Sequence, residues 1–181
     1  TGANISDLRS LVKQGYVTLR EIETLRNSLS ALNVEVAKPP KLVKAQDDAW
    51  SMIKEAFVLS DPKPFLLHGV TGSGKTEIYM RAVSEALRQG KQAIVLVPEI
   101  ALTTQTVHRF VERFPMRVGL IHSKLSAGEK YDTWRRCRSG DLDVLVGARS
   151  ALFTPMPNIG LVIVDEEHEE AYKQDPPVQP P

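Results

Sequence analysis

Apolar positions recur along the chain in two rhythms, and each rhythm predicts a different element. Near the start, Leu8, Leu11 and Val12 fall on one side of a short helix over 6–14, with Ser6-Asp7 as its cap and Gly15 as its stop. The next stretch admits two readings. Thr18-Leu19-Arg20-Glu21 fits a capping box, and Leu19, Ile22, Leu25, Leu29 and Leu32 recur at roughly helical spacing, so local propensity favours a second helix. A helix followed by a strand over Gly15 to Leu19 is the other reading. Val36-Ala37-Lys38-Pro39-Pro40-Lys41 is a linker, because paired prolines stop a helix and lysines keep the segment hydrated. A helix over 45–59 follows, with Ala49, Ile53, Ala56 and Phe57 as its stripe.

From there the rhythm alternates. Pro64 to His68 reads as a short buried strand, and 77–88 as a helix with Ile78, Ala82, Val83, Ala86 and Leu87 on its apolar side. Gln92 to Val97 is a nearly continuous apolar run, which suits a parallel strand covered on both faces. A helix over 103–114, a strand over 117–122, a helix opened by the Ser126-Ala127-Gly128-Glu129 capping box and a strand over 143–147 come next. Gly160 to Asp165 is the last strand. The expected fold is a three-layer α/β domain over 39–174 with a mainly parallel sheet, preceded by a small appendage at 1–38 and followed by a proline-rich, mobile tail at 175–181.

Composition changes this picture little. The 181 residues suffice for one domain with a proper core and an appendage, and 42% hydrophobic with 25% charged content suits a globular chain. The net charge of +1 offers no global basic field, so any nucleic-acid contact must come from a local patch. Cys137 stands alone, which excludes an internal disulfide and a cysteine-rich zinc site and is compatible with a reducing cytoplasm. No apolar run reaches membrane-spanning length, and neither a signal-peptide pattern nor an internal repeat is present.

The chemistry centres on Gly69-Val70-Thr71-Gly72-Ser73-Gly74-Lys75-Thr76, which fits the phosphate-binding loop G-x-x-x-x-G-K-[ST] between a predicted strand and a helix start. Glycines let backbone N–H groups close on phosphate oxygens, and the helix N-terminus adds partial positive charge. Lys75 would reach the β- and γ-phosphates of ATP and Thr76 would ligate Mg²⁺. The second motif is Val164-Asp165-Glu166-Glu167-His168, where an apolar strand ends in paired carboxylates at the sheet's carboxyl edge, the side on which such sheets bind ligands. Asp165 would hold Mg²⁺ through water, and Glu166 would position and deprotonate the attacking water. His168 could relay nucleotide state to another surface. Gln46, near the start of the 45–59 helix, carries the donor and acceptor needed to read an adenine edge.

Taken together, GVTGSGKTEIYM (69–80), LVPEIALTTQ (96–105), IHSKLS (121–126), Trp134-Arg135, VGARSALFTP (146–155) and VIVDEEHEEAYKQ (162–174) resemble the superfamily 2 helicases of the DEAD/DEAH type, and more narrowly the primosomal replication-restart helicases. The resemblance covers about 40–174; residues 1–38 correspond more weakly to the end of a winged-helix region. It implies one RecA-like lobe of an ATP-driven motor that tracks single-stranded DNA from 3′ to 5′. It carries nucleotide roles onto Lys75, Thr76, Asp165 and Glu166, and adenine recognition onto Gln46. It places 98–103, including Thr103, and Gly147-Ala148-Arg149-Ser150 beside DNA, where Arg149, amides near Gly147 and the Ser150 hydroxyl can hold phosphates without reading sequence. Lys124 and His122 are weaker candidates. Glu99 would repel phosphate, so a structural or coupling role suits it better. Tyr172-Lys173-Gln174 begins what is in the family an aromatic-rich coupling loop, but Asp175 to Pro181 depart from that pattern.

The implied partners are single-stranded or forked DNA, other primosome proteins and single-stranded DNA-binding protein, in a bacterial cytoplasm near forks and not in a membrane. A second helicase lobe, which in the family supplies an arginine finger, is missing from this chain. Loss of such a finger costs about 10³–10⁵ in turnover, so the chain alone is expected to hydrolyse ATP poorly. Two other classes compete with the enzyme reading: a nucleotide-responsive DNA-binding module that does not unwind, and a small-molecule kinase. The acidic Asp-Glu-Glu-His segment argues against the kinase, since a glutamate poised for water suits hydrolysis.

Overall fold

The computed structural model describes residues 5–18, 29, 35–59 and 63–172. Helix α1 spans Ile5–Lys13, α2 Lys44–Leu59, α3 Lys75–Arg88, α4 Thr104–Arg113 and α5 Ala127–Ser139. The strands are β1 Gln92–Leu96, β2 Val118–Ile121, β3 Val144–Gly147 and β4 Ile159–Val164. They form one sheet in the order β2-β3-β1-β4 with every pair parallel. Each crossover between successive strands carries helical structure, as parallel strands require.

Strand alternation sorts the core into two layers. Ala93, Val95 and Val97 face one side of the sheet with Val118, Leu120, Val144 and Val146, and meet Met80 and Val83 of α3 and Val107, Phe110 and Val111 of α4. Ile94, Leu96, Ile121 and Leu145 face the other side, under Cys137 of α5 and Ala151 and Met156 of the segment before β4. The expected three-layer α/β arrangement is therefore present, with the 92–96 strand buried at every position.

One buried polar side chain ties three elements together. Gln92 donates to the carbonyls of Cys137 and Leu142, both at 3.0 Å, and accepts from the Asn158 amide at 3.1 Å. Full pairing is what makes a buried amide tolerable.

Several sequence expectations are corrected. Pro64 to His68 is not a buried strand: the segment has no ladder partners among the described residues, and Phe65, Leu66 and His68 are exposed. An apolar run becomes a strand only beside a partner edge, and here the edge strand β4 pairs only with β1 among the described residues. For the same reason β4 leaves Ile159, Val162 and Val164 exposed and buries only Ile163. Ser6 lies inside α1 and not at its cap, since the helix already includes Ile5; Gly15 does end it, at φ 77°. The linker at 36–41 is exposed but docked: Ala37 donates to the Glu112 carbonyl at 3.0 Å, and Arg81 donates to the Pro40 carbonyl at 2.7 Å. The choice between helix and strand over 18–32 falls mostly outside the described residues, although Leu29 packs against the α3–α4 side of the core. Lys173, Gln174 and the 175–181 tail also lie outside them.

Cys137 is fully buried, and burial pushes its thiol up to about 12. A thiol reagent at pH 8 is therefore expected to leave the native chain unlabelled and to label one site in denaturant; rapid native labelling would contradict this burial. The linkage has one sign. The folded state keeps the proton that the unfolded state loses near its ordinary value, so this contribution to stability is complete below about pH 9 and declines as pH rises toward 12.

Candidate nucleotide site at the carboxyl edge of the sheet

The phosphate-loop motif forms the turn that leads into α3. Gly74 precedes the helix at φ 85°, a left-handed conformation natural to glycine, and a Cβ there would collide with the Gln46 amide. No side chain caps this helix start, so its leading N–H groups are not taken by a cap of that kind. The Lys75 ammonium donates to the loop's own carbonyls, Gly69 at 2.7 Å and Val70 at 3.3 Å, which holds it inside the curve of the loop.

Gln46 lies against this loop. Its amide donates to the Ser73 carbonyl at 2.9 Å, while its oxygen accepts from the Val43 N–H at 3.1 Å. The start of α2 is thereby fastened to the phosphate loop, and α2 packs along α3. Gln46 thus reaches the candidate site through the loop backbone, with donor and acceptor both engaged.

Asp165 and Glu166 follow β4 directly. The Asp165 N–H donates to the Leu96 carbonyl at 2.9 Å, which carries the β1–β4 pairing one residue past the strand. Oδ1 of Asp165 accepts from the Glu166 N–H at 3.1 Å and from the Tyr79 hydroxyl at 3.2 Å. Glu166 stands at φ 49°, an uncommon backbone for a residue with a Cβ. The His168 Nε2 is 3.6 Å from Oε2 of Glu166 and mostly exposed. Burial raises the Tyr79 phenol above its usual range, and the Asp165 charge raises it further. Tyr172 donates to the Asp165 carbonyl at 3.0 Å; burial first, then Asp165, pushes its phenol up to about 12.

The loop and the paired carboxylates meet around one cavity of about 610 Å³, lined by Thr71, Gly72, Gly74, Lys75, Thr76, Asp165 and Glu166; Gln46, Tyr79, His168 and Tyr172 lie outside its lining. The cavity brings together residues from both sequence motifs. It also contains residues the sequence did not flag: Lys38 and Pro40 of the docked linker, and Arg109 and Arg113 of α4. Arg113 pairs with Glu77 at 3.4 Å, and Glu77 also holds Arg81 at 3.0 Å. No linear spacing relates α4 to α3, so this basic wall appears only after folding. The donor set suits a nucleotide with its metal ion. A loop lysine and a threonine hydroxyl stand with an aspartate, few enough protein oxygens for Mg²⁺ to be carried chiefly by phosphate and water.

The residues assigned to DNA lie apart from the cavity lining. Thr103 caps α4, its hydroxyl accepting from the Thr106 N–H at 3.2 Å. Arg149 and Ser150 begin an exposed 3-10 turn after β3. Gly147 is buried as the last residue of β3; its carbonyl accepts from Val97 at 2.9 Å, and a Cβ there would collide with the Ile121 carbonyl. Its contribution is therefore to close packing, while Arg149 and Ser150 carry the exposed polar groups. Glu99 has a structural role: Oε1 accepts from the Ser123 N–H at 2.7 Å, linking the turns after β1 and β2, and the Ser123 side chain first, then this N–H, hold its carboxyl below the usual range.

Among the described residues, no helix is long and apolar enough to cross a membrane. A solved structure shares the fold: a nuclease-deletion mutant of the Type ISP restriction-modification enzyme LlaGI, in complex with a DNA substrate mimic, superposes with a TM-score of 0.53 at 18% identity over 74% of this chain and 16% of that one. The chain is 44% identical to the replication restart protein PriA of Bacillus subtilis over 97% of its length, and 49% identical to that of Chlamydia pneumoniae over 93%. It spans 22% and 23% of those proteins, respectively. Residues 43–178 match the DEAD/DEAH box helicase family, so this chain, with its RecA-like α/β fold, belongs to that family.

Proposed function

We propose that the chain is the ATP-binding motor lobe of a DNA helicase that acts in the restart of stalled replication forks and couples ATP hydrolysis to 3′ to 5′ movement along single-stranded DNA. The observation that carries this reading is the single cavity shared by Lys75, Thr76, Asp165 and Glu166. In it, Lys75 leaves the Gly69 and Val70 carbonyls for the β- and γ-phosphates, and the α3 N-terminus faces their negative charge. Thr76 and Asp165 would hold Mg²⁺, which when bound would neutralise charge on the phosphate oxygens. Glu166 orients and deprotonates the attacking water, and His168 beside it senses that carboxylate. Gln46 ties adenine recognition to the loop. On the exposed side, Arg149, Ser150 and Thr103 contact the DNA backbone without reading bases. The similarity to replication restart proteins supports a role at forks, and the partners in this reading are single-stranded or forked DNA, single-stranded DNA-binding protein and other primosome proteins.

The test is nucleotide binding by the purified chain, followed by a fluorescent ATP analogue. Lys75→Ala removes charge-assisted hydrogen bonds worth about 1.5–3 kcal/mol, so affinity is expected to fall about 10–100-fold. Unchanged affinity in that variant would place the nucleotide elsewhere and remove the basis of the reading.

A further inference from the structure

We propose that the Tyr79 hydroxyl is a positioning group for Asp165, fixing which carboxylate oxygen is presented to the cation. The inference rests on the nucleotide reading above and extends it to a residue outside both motif cores. Tyr79 lies four positions after Lys75 on α3, so both project from neighbouring points on one face of the helix. One element thus serves the phosphate and the metal-holding carboxylate together.

The main chain of Asp165 is already fixed, by its N–H on Leu96 and by Tyr172 on its carbonyl. What remains to be set is the carboxylate's rotation. Two donors converge on the same oxygen: the Tyr79 hydroxyl and the Glu166 N–H both reach Oδ1. Oδ2 receives no hydrogen bond among the described residues, so it is the oxygen left for a cation or its water. Of the two donors, the Glu166 N–H belongs to a residue at φ 49°. The phenol comes from a half-buried ring packed against the α3–α4 side of the core. Its position is therefore set by packing that does not depend on the turn after Asp165. Removing the hydroxyl leaves the ring and frees the carboxylate to exchange its oxygens.

The experiment compares affinity for a fluorescent ATP analogue in Mg²⁺ and in EDTA, using the purified chain and its Tyr79→Phe, Asp165→Asn and doubly substituted variants. Phenylalanine keeps the packing, and binding in EDTA reports that the loop is intact. Tyr79→Phe is expected to bind as the unmodified chain does in EDTA and to lose about tenfold of the Mg²⁺ enhancement, the lower end for groups that orient metal ligands. In the Asp165→Asn background the same change should have no further effect. An unchanged Mg²⁺ enhancement in Tyr79→Phe would overturn the proposal and leave the nucleotide reading standing. So would an equal loss in Mg²⁺ and EDTA, or full additivity with Asp165→Asn. An unmodified chain that binds no better in Mg²⁺ than in EDTA would overturn the proposal as well, and one that binds the analogue in neither would overturn both.

Discussion

Glu166→Gln is expected to slow ATP hydrolysis about 10²–10⁴-fold, the usual contribution of a positioned general base, while nucleotide affinity stays nearly unchanged. The glutamine amide has almost the same shape and still offers an acceptor oxygen, but it cannot take a proton from water. Glu166 lines the cavity with Lys75 and Thr76, one residue beyond the carboxylate assigned to the metal ion. Binding and chemistry are therefore expected to separate between these residues, with affinity following Lys75 and rate following Glu166. Hydrolysis should be followed under single-turnover conditions, with the chain in excess over labelled ATP, because that separates the chemical step from binding and product release. A Glu166→Gln chain that hydrolyses as fast as its parent would show that another group activates the water.

Phe110→Ala is expected to cost about 3–5 kcal/mol of folding stability, the range for emptying a large aromatic site in a core. Phe110 is only 2% exposed and sits among the valines that join α4 to the sheet. Against a total of about 5–15 kcal/mol for a typical domain, that loss is a large share of the stability. The effect reaches the site as well, because α4 carries Arg113, which holds Glu77 on α3, and Arg109 on the cavity wall. Urea unfolding monitored by circular dichroism gives the number. A loss below about 1 kcal/mol would mean that the α3–α4 layer repacks freely, at odds with the usual cost of a cavity left in a core.

What the sequence revealed, and what it concealed, follows from how local each determinant is. The phosphate loop was legible because glycine spacing, Lys75 and the following helix are contiguous. The capping box at Ser126 and Glu129 was legible for the same reason, and both of its bonds are present. The alternating strands and helices showed the three-layer fold because β1, β2 and β3 are buried on both faces and read as continuous apolar runs. Pro64 to His68 misled because apolar composition reports the tendency to be buried and says nothing about a partner edge. Tyr79 was read only as part of a motif string, since its partner Asp165 lies on another element and no spacing encodes the pair. Arg109, Arg113 and Lys38 reach the cavity wall through packing between elements, which a periodicity analysis cannot register.

The backbone of Glu166 has one more consequence. A side chain held at a positive φ of 49° costs on the order of 1–3 kcal/mol relative to a relaxed conformation. Glycine or asparagine would occupy that turn more comfortably. Selection for heat resistance alone would thus favour exchanging this glutamate, and on the role proposed for it the survivors would be sturdier proteins without turnover. Any thermostabilised version of this lobe should be sorted for turnover at every round, with position 166 excluded from the library.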